Sequence, residues 1–229
     1  MKYKMGTVSI QGSYHDINQD RAIAMQFPFG SVLALADGLG SRNLSQFGAQ
    51  TFCDCVVDLA KKYECLITND ECFITELQNL WVQQLKLQNF DVKQCYCTAL
   101  IVIVKNNTYK IFKLGDGIIS LMADDEFFVF MEEKDDFANF TDPLTESVEV
   151  EKWQTFSGMF KRLQGIFLCS DGVEIGDSSV NVVTDFHNDF IEEYTAMSVL
   201  GIEKQIKEWL KDWPTSDDKT IAFLLREES

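Results

Sequence analysis

The amino-acid sequence predicts a layered α+β protein, and three observations carry that expectation. Short apolar runs rich in β-branched and aromatic residues recur along the chain, two long stretches at helical spacing lie between the third and fourth runs, and another helical pattern precedes the last run. The strand candidates are Thr7 to Ile10, Arg21 to Phe27, Ser31 to Ala36, Thr98 to Val104, Thr108 to Leu114, Ile118 to Met122, Phe127 to Met131, Gly165 to Cys169 and Thr220 to Leu225. Turn formers such as Pro28-Phe29-Gly30, Lys105-Asn106-Asn107 and Asp124-Asp125 separate several of them by only a few residues. That spacing requires antiparallel neighbours, because a parallel pair needs a crossover of about a dozen residues.

In the first helical stretch Leu44, Phe47, Gly48, Thr51, Phe52, Cys55, Val56 and Leu59 share one face, and in the second Phe73, Ile74, Leu77, Leu80, Trp81 and Leu85 do the same. A helix with a single apolar stripe buries it against a sheet. A third helical region is expected over 189–213, marked by Phe190, Ile191, Tyr194, Met197, Ile206, Trp209 and Leu210 and stopped by Pro214. The stretch from Glu132 to Gln164 is the least regular, acidic at first and then carrying Pro143, Trp153, Phe156 and Phe160; it reads as a flap or a surface insertion.

At 229 residues and 46% hydrophobic, the chain is long enough for one full core, so residues 1–229 are expected to form a single domain. No apolar stretch approaches the roughly 18 residues that a membrane span needs, and the first residues lack the apolar centre of a signal peptide, which points to a soluble, cytoplasmic protein. The seven cysteines show no metal-finger spacing and sit in apolar surroundings such as Leu168-Cys169-Ser170, as expected of reduced core thiols. The formal net charge of −16 repels phosphate backbones and anionic lipid, so no nucleic acid and no membrane is expected as a partner, and basic partners are favoured.

Asp20, Asp37, Asp171 and Asp218 each stand where a strand candidate meets a turn, at Asn18-Gln19-Asp20, Ala36-Asp37-Gly38, Ser170-Asp171-Gly172 and Asp217-Asp218-Lys219-Thr220. Carboxylates at strand ends can converge on one point, where they repel one another unless a hard divalent cation such as Mg2+ or Mn2+ neutralises them. Two cations sharing a carboxylate make a bridging water ionise near neutral pH and attack phosphorus in line, which is phosphate-ester hydrolysis without a protein nucleophile. Asp37 is the best bridging candidate, because Gly38 lets the backbone come close and offers a carbonyl oxygen as a further ligand. Each Asp-Gly alone reads as an ordinary turn, Asp116-Gly117 included; the weight lies in their order along one chain.

Ala34-Leu35-Ala36-Asp37-Gly38-Leu39-Gly40, Leu114-Gly115-Asp116, Ser170-Asp171-Gly172, Asp217-Asp218-Lys219-Thr220 and the strand start Cys97-Thr98-Ala99-Leu100 together resemble the metal-dependent protein serine/threonine phosphatases of type 2C, in a divergent bacterial-type branch. The resemblance covers almost the whole chain. It implies an α-β-β-α sandwich, two antiparallel sheets flanked by helices, with a dinuclear Mn2+ or Mg2+ centre at one end. It further implies that Asp37 bridges two metals, Gly38 donates its carbonyl, Asp171 and Asp218 complete the first metal, Asp116 holds a third ion, and Asp20 stands at the centre as ligand or acceptor for metal-bound water. The implied substrate is a phosphorylated protein, and the acidic surface suits basic phosphosites such as those of a cognate kinase.

Four departures bear on activity. Gln19 puts a neutral amide where many relatives have a carboxylate, and His15 falls where the family's phosphate-gripping arginine stands, making it a candidate for holding phosphate as an imidazolium. Leu39 occupies the place of a histidine proposed as general acid in eukaryotic members, so His15 or water must protonate the leaving alkoxide; Gly117 replaces the usual serine after Asp116. The competing readings are a pseudophosphatase that binds a phosphoprotein or regulates a kinase without turnover, and a hydrolase of small phosphate esters.

Overall fold

The computed structural model describes residues 2–62, 69–131, 142–173, 175–176 and 179–227. The strands are β1 (Tyr3–Ile10), β2 (Arg21–Phe27), β3 (Gly30–Ala36), β4 (Ala99–Lys105), β5 (Thr108–Leu114), β6 (Ile118–Ala123), β7 (Glu126–Phe130), β8 (Gln154–Met159), β9 (Leu163–Cys169) and β10 (Lys219–Arg226). They build two five-stranded sheets, ordered β1-β10-β9-β6-β7 and β2-β3-β4-β5-β8. All neighbours are antiparallel, as the short connections require. Among the described residues four α-helices flank them: α1 (Ser45–Lys61), α2 (Asp70–Leu87), α3 (Val180–Tyr194) and α4 (Val199–Lys211).

Alternation along each strand divides the apolar residues among three layers of packing. Leu33, Leu35, Leu100, Val102 and Ile111 meet Leu121, Ile166, Leu168, Ala222 and Leu224 between the sheets. The opposite face of the second sheet, with Val32, Ala34 and Phe112, is covered by Phe52, Phe73, Leu77 and Trp81 of α1 and α2. On the other side Phe167 and Phe223 pack under Phe190, Ile202 and Ile206 of α3 and α4. Both faces of the central strands are therefore buried, which explains why they read as continuous apolar runs. Trp81 donates its indole N–H to the Gly48 carbonyl at 3.0 Å, tying α2 to α1. No helix among the described residues is long and apolar enough to cross a membrane.

Three expectations need correction. The helical pattern expected over 189–213 is two helices, α3 beginning at Val180 and α4 ending at Lys211, before Pro214. Ser198 accepts from the Gly201 N–H at 3.3 Å and so starts a new helix within the pattern. Strand β8 falls inside the supposed flap; among the described residues it pairs only with β5, and its exposed residues give no apolar alternation to read. Beyond it, Trp153 and Phe160 are buried, Leu144 bridges to Cys97, and residues from Leu163 onward form β9, so most of the stretch is sandwich. The first part of the expected flap, 132–141, lies outside the described residues.

Candidate metal centre

Asp37 follows β3 directly, and the backbone there is locked to the start of β4. Its N–H donates to Thr98 Oγ1 at 2.8 Å, its carbonyl accepts from the Thr98 N–H at 2.7 Å, and the Leu39 N–H donates to the Tyr96 carbonyl at 3.0 Å. Gly38 lies between these bonds, opposite Cys97, and neither of the bonds that flank it uses its own carbonyl. A Cβ at Gly38 would come within 2.8 Å of the Ser45 side chain and 2.9 Å of the Gln19 carbonyl, so only glycine lets these segments meet.

The cluster around Asp37 is defined first by burial and then by repulsion. Burial raises the Asp37 carboxyl well above the usual carboxylate range, and Asp20, Asp171 and Asp116 push it further, with Asp171 sharing a hydrogen bond with it. Asp20 is completely buried; desolvation, with Asp218 adding to it, raises its carboxyl to about 7 against the pull of Ser170, Thr220 and Asp37. Ser170 Oγ donates to Asp20 Oδ2 at 2.8 Å, while Oδ1 has no hydrogen-bond partner among the described residues. Asp171 is exposed as a residue, yet its carboxyl is closely surrounded; that desolvation raises it, Asp116 and Asp217 raise it further, and Asp37 and the Gly172 N–H pull it down. Asp116 enters this cluster through a turn in which Gly115 takes a φ of 101°.

Asp218 is placed differently from the other carboxylates. Its side chain is 2% exposed, and its two oxygens accept from the Gly12 N–H at 2.8 Å and the Gln19 N–H at 2.7 Å, clamping both ends of the loop between β1 and β2. Its neighbour Asp217, half exposed, faces Asp171 across a cavity of about 360 Å3 lined also by Gly172, Pro214, Thr215 and Ser216. Asp217 was absent from the residues singled out in the sequence. The adjacent pair Asp217-Asp218 was the available signal, and only the tertiary contacts separate their roles. The ligand atoms of His15, Asp217 and Asp218 lie within 4.8 Å of one another. His15 Nδ1 is 3.6 Å from Asp217 Oδ1 and 3.7 Å from Asp218 Oδ2, and its Nε2 lies against Gly40; neither ring nitrogen has a hydrogen-bond partner among the described residues. The Gln19 Oε1 is likewise buried and unpartnered there.

Burial pushes Cys53, Cys97 and Cys169 far up, Cys55 to about 12 and Cys95 to about 11, keeping them protonated at neutral pH.

A family model described as Protein phosphatase 2C matches residues 13–213, nearly the whole span from the clamped loop to the end of α4. The chain belongs to the protein phosphatase 2C family. No curated protein matches it. Among solved phosphatases, a bacterial serine phosphatase is 14% identical with a TM-score of 0.71, each chain covering 100% of the other. The catalytic domain of the serine/threonine phosphatase PstP, in complex with two manganese ions, is 15% identical with a TM-score of 0.69 and 99% coverage both ways. Stp1 from Staphylococcus aureus is 13% identical with a TM-score of 0.70, covering 100% of this chain and 96% of its own. At such identities the likeness is one of fold, and in this phosphatase 2C chain the carboxylates gather at the strand ends of that fold.

Proposed function

We propose that this phosphatase 2C chain is a metal-dependent protein serine/threonine phosphatase hydrolysing phosphoserine and phosphothreonine with two Mn2+ or Mg2+ ions and a third near Asp116. The observation that carries the reading is the gathering of Asp20, Asp37 and Asp171 at one buried point, where desolvation raises all three carboxyls and Asp20 Oδ1 has no hydrogen-bond partner among the described residues. Such a donor set, all oxygen and short of positive charge, fits hard divalent cations, whose binding removes the repulsion. When bound, the ions polarise phosphoryl oxygens and make water acidic enough to attack phosphorus at neutral pH.

The chain's own residues do the rest. Asp37, crowded by both Asp20 and Asp171, would hold the ions, with the Gly38 carbonyl available beside it. Asp171 with Asp217 forms the open side of the centre, where substrate arrives. Asp218, which the sequence reading made a ligand, is supported more strongly as the residue that orients the loop carrying His15 and Gln19. His15, against Gly40 and the Asp217 and Asp218 carboxylates, is the candidate to hold the phosphoryl group and to protonate the leaving alkoxide, since Leu39 has no proton to give.

The test is hydrolysis of phosphopeptides and an aryl phosphate with Mn2+, Mg2+ or chelator, beside an Asp37→Ala variant shown to be folded. Activity that needs metal and falls at least about a thousandfold in the variant is expected. Metal binding without turnover of any substrate would move the assignment to a phosphoprotein-binding pseudophosphatase, and absence of metal binding would refute the centre itself.

A further inference from the structure

The loop between β1 and β2 combines two properties that rarely occur together. Its backbone is held at many points: Gly12 and Gln19 donate to the Asp218 carboxylate, the Tyr14 N–H donates to the Ser216 carbonyl at 2.9 Å, Gln11 Nε2 donates to the His15 carbonyl at 2.8 Å, and Asn18 Nδ2 donates to Ser9 Oγ at 2.8 Å. Yet Tyr14 and Ile17, on this pinned frame, are 74% and 55% exposed. Large apolar side chains on a rigid backbone can bind without the ordering cost that a mobile loop incurs, and Tyr and Ile supply contact area suited to an anchor.

The position of Tyr14 points to the occupant. The Tyr14 ring stands edge-on to the His15 ring at 4.7 Å, and His15 in turn lies 3.6 Å from Asp217 and 3.7 Å from Asp218, so Tyr14 is one side chain removed from the carboxylate cluster. Between the two apolar residues Asp16 is exposed, on a chain whose net charge is −16. We infer that this loop is a docking platform for the residues flanking a phosphoserine or phosphothreonine, taking an apolar side chain on Tyr14 and Ile17 and a lysine or arginine at Asp16. The inference rests on the phosphatase reading and adds to it a substrate class: phosphosites flanked by apolar and basic residues.

The experiment uses the full chain and phosphothreonine peptides of one length, with leucine or glycine beside the phosphothreonine and arginine or glutamate further out. Wild type is expected to favour the leucine-flanked peptide in kcat/KM by about tenfold, a difference worth about 1.4 kcal/mol. In the Tyr14→Ala/Ile17→Ala double variant that preference falls below about twofold while turnover of the glycine-flanked peptide is kept; Tyr14→Phe retains the preference. Asp16→Lys reverses the choice between arginine and glutamate peptides, and added salt weakens that choice in wild type. Equal losses on leucine-flanked and glycine-flanked peptides, or no wild-type preference, would overturn the inference while leaving the phosphatase reading intact. If no peptide is turned over, the phosphatase reading fails, and Kd values for the same peptides by fluorescence anisotropy decide the platform: a leucine preference lost in the double variant supports it, and equal binding overturns it.

Discussion

Replacing Asp217 and Asp218 one at a time separates a clamp from a candidate ligand. Asp218 is 2% exposed and accepts two backbone N–H groups at 2.8 and 2.7 Å. Hydrogen bonds to a charged group contribute about 1.5–3 kcal/mol each, and truncation also leaves two amides facing a gap, so Asp218→Ala is expected to cost about 3–5 kcal/mol. With a urea m-value of about 2 kcal/mol per molar, that shifts the unfolding midpoint of the chelated protein down by about 2 M. Asp218→Asn keeps an acceptor oxygen and should recover about half of the loss. The Asp217 side chain is 44% exposed and accepts from the neighbouring Asp218 N–H at 2.8 Å, with His15 Nδ1 at 3.6 Å, so Asp217→Ala should change the midpoint by less than about 0.5 M. It should instead raise the Mn2+ concentration needed for half-maximal activity by tenfold or more, on the order of the loss when a metal site is impaired. Urea titrations under chelator and Mn2+ titrations of phosphatase activity give the two readouts. A stable Asp218→Ala protein with weakened metal dependence, beside an Asp217→Ala protein with normal metal dependence, would refute the division of roles.

Two pH effects of opposite sign follow from buried groups elsewhere and at the centre. Burial pushes His187, on the buried face of α3 with Nδ1 2.7 Å from Ser120 Oγ, from 6.5 down to about 3. The unfolded chain binds a proton below pH 6.5 that the folded chain refuses, so stability present above that pH is lost as pH falls toward 3, by about 2–3 kcal/mol at pH 4.5. Urea titrations at pH 7.5 and 4.5 should show that loss in wild type relative to His187→Gln; a difference between the two proteins that does not change with pH would contradict it. Asp20, raised to about 7, acts in the other direction: the folded chain holds a proton that the unfolded chain has released above pH 3.8, so stability is lost as pH rises through 7. The chelated protein should therefore lose about 0.8 kcal/mol between pH 6.5 and 8.5 from this group, and Mn2+ should restore it. Equal midpoints at the two pH values under chelator would show that Asp20 is ionised without penalty.

Much of the architecture was legible in the residues themselves. Continuous apolar runs such as Val32 to Ala36 and Ala99 to Val104 announce strands buried on both faces, and the stripes of α1 and α2 announce helices that cover a sheet, because periodicity is a local property that survives in the linear chain. The aspartates Asp20, Asp37, Asp116 and Asp171 were legible for a similar reason: each follows or adjoins a strand end, where a turn must expose it. What the chain could not disclose depends on contacts between distant segments. Strand β8 is specified by pairing with β5 rather than by its own composition, and the division between α3 and α4 depends on a serine cap hidden inside an unbroken helical pattern. Asp217 and Asp218 are adjacent and identical in chemistry; folding alone gives one to the solvent-facing cavity and the other to the backbone amides of a loop some two hundred residues earlier. A carboxylate's role is set by which donors and charges surround it in space, and those surroundings arise only when both sheets have assembled.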